Sequence, residues 1–245
     1  MRPYLFSIFS LSAALANGAA VTNWVATNGD AGFTAGTAAT NSPVSTDADG
    51  DTLAGSFASV TLGEGDLIAL TGSVSITGNT GAIPGNQFRW GLFGGPGTPT
   101  TGNGSNYVGI WASASTDIRH ADGSTTNPFS GSASTIINTQ AGAVPAYGDT
   151  LDFSLNITRI NATQISVSGD LVNSGGTTLI SWPETTANAA ESAFTFNSVG
   201  ILLGGTTDAT QAAFSNVDAT LTSVPEPSSL LLGLIGILGL LRRRR

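Results

Sequence analysis

Between Val21 and Ser223, apolar residues return at every second position in one segment after another. No stretch of convincing length carries the 3.6-residue period of a helix. In DLIALTGSVSIT, Ile68, Leu70, Val74 and Ile76 share one face, and in LDFSLNIT the set is Leu151, Phe153, Leu155 and Ile157. TQISVSGDLV aligns Ile165, Val167 and Leu171, and the intervening INA predicts a hairpin between these two segments. GSFASVTL, NQFRWGLF, NYVGIWASA, TTLISW, AFTFNSVGILL and AAFSNVDATLT bring the expectation to about nine or ten strands, with Gly-, Asn- and Asp-rich turns between them. A strand with one apolar face and one Thr- and Ser-rich face must bury the first while leaving the second wet. Two antiparallel sheets packed face to face satisfy both demands. The predicted fold is therefore all-β, a two-sheet antiparallel sandwich of jelly-roll type. No fixed repeat period supports a solenoid.

Charge narrows the possible partners. The chain has 245 residues and no Lys or Cys. Only Arg89, Arg119 and Arg159 lie in the body, against fifteen of the sixteen acids, a formal net charge of −12. Nucleic acid is excluded as a partner, because phosphate binding needs clustered cations. The absence of cysteine excludes disulfides, thiol catalysis and Cys-ligated zinc. A body of about 200 residues is large enough to fold without such staples.

The two ends read as addresses. Residues 1–20, MRPYLFSIFSLSAALANGAA, carry Arg2, the apolar stretch Tyr4 to Leu15 and the small residues Gly18, Ala19 and Ala20. That pattern predicts a helical secretory signal peptide cut near Ala20, too short to span a bilayer. At the other end, residues 224–245 read VPEPSSLLLGLIGILGLLRRRR. The apolar run Leu230 to Leu241 is twelve residues, about 18 Å as a helix against a hydrocarbon core near 30 Å. It makes a marginal transmembrane helix, whose arginines belong on the cytoplasmic side with the body outside. Pro225 and Pro227 flank Glu226 and hold the segment extended, a form that fits a protease cleft and also suits a break between strand and helix.

Val224, Pro225, Glu226 and Pro227, the short Gly- and Leu-rich helix and the cluster Arg242, Arg243, Arg244 and Arg245 together resemble the PEP-CTERM sorting signal. That resemblance implies recognition by an exosortase, a membrane-embedded cysteine protease, during export across the inner membrane of a Gram-negative-type bacterium. It also implies a transient membrane anchor, then a place at the cell surface or in the extracellular matrix, often alongside exopolysaccharide. The implied domains are a signal peptide (1–20), a sandwich (21–223) and a sorting tail (224–245). The order DGDTLAGSFASVTL, FRWGLF, then VGILLGG with AAFSNVDATLT is similar to the concanavalin-like jelly rolls, which include legume lectins, laminin-G modules and some glucanases.

Chemistry within the body is sparse. His120 is the only histidine and reads as a solvated residue between strands, with no GxSxG to supply a nucleophile. Glycoside hydrolysis needs two carboxylates across the scissile bond. The only Glu-x-Asp, Glu64-Gly65-Asp66, is framed by glycines that suit a hairpin turn, and Glu184 and Glu191 flank a polar stretch. Asp47, Asp49 and Asp51 alternate as oxygen ligands for Ca²⁺ do, or form an acidic turn; no other cofactor is expected. Tyr107 and Trp111 are candidates for stacking on a sugar ring. Trp90 alternates with Phe88 and Leu92 as core, while the phase of Trp111 is ambiguous. The expected function is that of an exported, non-catalytic surface or matrix protein. The alternatives are a lectin-like carbohydrate-binding module and, third, a polysaccharide-cleaving enzyme.

Overall fold

A computed structural model describes residues 15–26, 33–34, 44–45, 52–78, 81, 83, 88–94, 105–112, 116–124, 135–143, 145–189, 194–203 and 209–224. Fifteen strands among these residues form two sheets. In chain order they are β1 (Leu15–Ala20), β2 (Thr22–Ala26), β3 (Phe33–Thr34), β4 (Val44–Ser45), β5 (Thr52–Thr61), β6 (Leu67–Gly78), β7 (Phe88–Gly94) and β8 (Ser105–Ala112). There follow β9 (Thr116–Ser124), β10 (Thr135–Gln140), β11 (Thr150–Asn161), β12 (Gln164–Asn173), β13 (Thr178–Asn188), β14 (Thr195–Leu203) and β15 (Ala209–Ser223). One sheet runs β13-β12-β11-β6-β15-β4-β3, with β1 also on β15, and the other runs β10-β9-β8-β7-β14-β5-β2. Every pairing is antiparallel.

The alternation seen in the sequence becomes the floor of the core. Ile68, Leu70, Val74 and Ile76 are buried, as are Leu151, Phe153, Leu155 and Ile157 on the neighbouring strand and Ile165, Val167 and Leu171 on the next. Two gaps in that alternation fall at glycines. Gly72 sits between Leu70 and Val74, where a Cβ would collide with the Phe153 ring. Gly169 sits between Val167 and Leu171, where a Cβ would strike both Ile110 of the facing sheet and the Ser154 carbonyl. The predicted hairpin forms between β11 and β12.

Two expectations are corrected. The segment Gly63 to Asp66 is a turn, with Gly65 at φ 85°, but it is not a hairpin turn. It carries the chain from β5 in one sheet to β6 in the other. The stretch around His120 is strand β9 and not a loop between strands; its inner face carries Ile118, while Asp117 and Arg119 occupy the outer face. The strand count also exceeds the expected nine or ten, because several strands are too short or too polar to show a period.

The sheets are tied across the core by two indoles. Trp90 on β7 donates its Nε1–H to the Ser154 carbonyl of the opposite sheet at 3.1 Å, where β11 lacks a β12 partner in the ladder. Trp182 on β13 returns the arrangement, donating to the Thr116 carbonyl on β9 at 3.2 Å. The two rings meet edge to face, 5.8 Å apart and at 79°. Trp90→Phe or Trp182→Phe should each lower unfolding stability by about 1–3 kcal/mol for the unmatched carbonyl, with more for lost ring volume. Urea unfolding with a lower midpoint and unchanged slope is the expected record; an unchanged midpoint in either variant would show that its bond does not tie the sheets.

Candidate functional site

The outer face of the seven-stranded sheet carries a second, smaller buried cluster, formed by Phe93, Tyr107 and Trp111 with Leu202 against it. Its origin lies in β7 and β8. Trp90 and Leu92, with Val108 and Ile110, turn to the main core, so Arg89, Gly91 and Phe93, with Tyr107, Gly109 and Trp111, face the other way. Tyr107 lies across Gly91 and Gly109, at each of which a Cβ would collide with its ring. The phase of Trp111 is thereby settled: it points away from the core and is nonetheless only 3% exposed.

Polar contacts lock the cluster. Trp111 donates its Nε1–H to the Tyr107 hydroxyl at 3.0 Å. The Arg89 and Arg119 guanidinium groups approach the Trp111 ring from the strands on either side, 3.9 and 4.1 Å from its centroid. Arg119 forms a 2.9 Å ion pair with Asp117, whose other oxygen accepts the Thr139 hydroxyl at 2.8 Å. Burial lowers the Arg89 pKa, with Tyr107 opposing the effect and Arg119 adding to it. Burial likewise pushes the Tyr107 phenol well above its ordinary value of 10.0, against smaller lowering effects from Trp111, Arg89 and Arg119. Tyr107 and Trp111, the candidate stacking pair, are brought together, but as a closed unit in which Tyr107 is fully buried and guanidinium groups cover the indole. The sequence reading missed Arg89 and Arg119; the signal available was a body with three Arg and no Lys, in which Arg89 lies between Phe88 and Trp90 and Arg119 two residues after Asp117.

A second feature lies where the two sheets meet along one edge. A cavity of about 560 Å³ is lined by His120, Ile136, Ile137, Thr163, Thr186 and Asn188, among others. Nearby, Asn138 of β10 donates to the Thr185 hydroxyl of β13 at 2.8 Å and closes the edge between sheets.

The third feature is the junction with the tail. Asp66 is buried in the turn between β5 and β6; its carboxylate accepts the Gly63 N–H and the Val224 N–H, each at 2.8 Å. The first residue after β15 is thus held against the body. Glu64 is exposed on this turn and Glu184 is exposed on β13, where it accepts the Ser166 hydroxyl at 2.7 Å. Asp47, Asp49, Asp51, Glu191, Pro225 to Pro227, Arg242 to Arg245 and both terminal apolar segments apart from Leu15 lie outside the described residues. Among the described residues no group of three or more acids or histidines could hold a metal, and no helix is long and apolar enough to cross a membrane.

The fold is that of the legume-lectin, concanavalin-like sandwiches. Peanut lectin with a 9mer peptide superposes at a TM-score of 0.50 and 10% identity, over 89% of this chain and 100% of that one. Arcelin-5, a lectin-like defense protein from Phaseolus vulgaris, gives 0.49 and 8% identity, over 86% and 99%. At such identity the likeness concerns architecture and not ligand. No curated protein matches the chain. Residues 223–245 match the PEP-CTERM protein-sorting motif, a signal for exosortase-dependent export with membrane-anchored transit in Gram-negative-type bacteria.

The Tyr107 phenol gives the cluster a measurable pH dependence. Its folded pKa lies above its unfolded one, so the stabilisation it lends is complete below about pH 10 and is lost as pH rises from there toward the folded value. Tyr107→Phe should melt lower than the wild type at pH 7, because the buried Trp111 N–H loses its acceptor, a cost of about 1–3 kcal/mol. The difference should shrink above pH 10; melting curves that stay parallel to the wild type's through pH 11 would exclude the assignment.

Proposed function

We propose that this chain is an exported, non-catalytic β-sandwich protein of the cell surface or extracellular matrix. In this reading a signal peptide carries it out, and an exosortase processes it at the sorting tail. The observation that carries the proposal is the match of residues 223–245 to the sorting motif, beginning at the last residue of β15 with Val224 tied to Asp66. The body would then stand close to the membrane while the tail is presented, because no linker separates the last strand from Pro225. Inside the bilayer, Leu230 to Leu241 would act as a short temporary anchor and Arg242 to Arg245 would hold its end in the cytoplasm. Expressed as the full chain in a host that has an exosortase, the wild type should reach the surface or medium in a shortened form. Glu226→Ala, or Ser at all four terminal arginine positions, should leave full-length protein in the inner membrane. Unchanged delivery of both variants would sink the reading.

A second reading, a body that binds carbohydrate, draws support from the cavity beside His120. Hydroxyl and amide groups from Thr163, Thr186 and Asn188 stand next to Ile136 and Ile137 there, the mixture of polar and apolar contacts that a neutral sugar needs. Ca²⁺ held by Asp47, Asp49 and Asp51 belongs to this reading as an accessory. Full-length protein on a glycan array should then bind one glycan class, and Asn188→Ala should weaken that binding without lowering the melting temperature. Absence of binding to every glycan would dispose of it.

A further inference from the structure

The small residues Gly18, Ala19 and Ala20 suggest a cut after Ala20 and a mature chain beginning at Val21. The structure speaks against that bond. Val21 is the single residue between β1 in one sheet and β2 in the other, and it has no solvent exposure. It belongs to the main core and lies so close to Gly55 that a Cβ there would collide with it. Cleavage after Ala20 would turn its amide into an α-amino group with a pKa of about 7.7–8.0, charged at neutral pH. That puts a charged chain end directly on a residue packed in the main core. The same cut would remove all of β1, which pairs with β15 without a register shift from Leu15↔Ser223 to Ala20↔Asp218. The other side of that β15 segment is taken by β6, so losing β1 would leave a row of backbone groups open on this edge.

Two alternative sites lie upstream. Ser12-Ala13-Ala14 and Ala14-Leu15-Ala16 each place small residues at the two positions that a signal peptidase reads. Either leaves Tyr4 to Leu11 as an eight-residue apolar region behind Arg2, still within the usual length. We infer that the signal peptide is cut after Ala14 or Ala16, so that the mature protein begins at Leu15 or Asn17 and keeps its first segment as an edge strand on β15. The inference rests on the signal-peptide reading above. It has a geometric consequence: Leu15 stands opposite Ser223, so the signal segment and the sorting tail leave the sandwich at the same end. Both apolar segments can therefore enter one membrane with the body folded between them, Arg2 and Arg242 to Arg245 lying on the same side.

The test is N-terminal sequencing, with intact mass, of the exported full chain from a Gram-negative host. A start at Leu15 or Asn17 supports the inference, and a start at Val21 overturns it while leaving the signal peptide standing. An intact Met1 on exported protein overturns the inference by removing the signal peptide itself. Two variants sharpen the outcome. Ala14→Leu with Ala16→Leu should abolish processing and leave a longer, membrane-held precursor, whereas Ala20→Leu, at an exposed position, should leave the wild-type N-terminus unchanged. The opposite pattern would place the cut at Ala20.

Discussion

Two indole hydrogen bonds fix how the sheets of this sandwich sit on each other. Burial of apolar area is non-directional, so it presses two sheets together without choosing how they slide or rotate. The bonds from Trp90 to Ser154 and from Trp182 to Thr116 make that choice, because each places a polar donor in the core that only one carbonyl can satisfy. One donor comes from each sheet, and a slide of one sheet over the other would displace both donors from their acceptors. With no cysteine in the chain, they bear the role an inter-sheet disulfide can play elsewhere. The surrounding packing follows: Phe88 and Phe153 close on Trp90, and Gly169 makes room for Ile110 beside the accepting carbonyl.

Much of this was legible where polarity alternates strongly. The faces of β6, β11 and β12 could be read directly, and their two gaps at Gly72 and Gly169 turn out to be steric requirements of the facing residues. Strand β9 escaped because Asp117 and Arg119 neutralise each other on its outer face, and a single apolar residue, Ile118, marks the inner one. Strand β8 gave no clear phase because both of its faces are buried, and periodicity detects only contrast between faces. The turn at Gly63 to Asp66 was recognised from its glycines, but local chemistry does not say whether a turn joins neighbours in one sheet or crosses between two. The contact between Asp66 and Val224 spans 158 residues and has no local signature.

The same structure explains where the few body cations go. Arg89 and Arg119 sit over Trp111, and Arg159 lies 4.2 Å over the Phe194 ring while donating to the Leu62 carbonyl. All three are thus engaged with aromatic faces. This matters for the tail, because membrane orientation is set by Lys and Arg within about 15–20 residues of an apolar segment. From Ile160 to Leu241 there is neither Lys nor Arg, so nothing on the body side competes with Arg242 to Arg245. In the proposed topology, Arg242 to Arg245 are then the only Lys or Arg residues close to the apolar run Leu230 to Leu241.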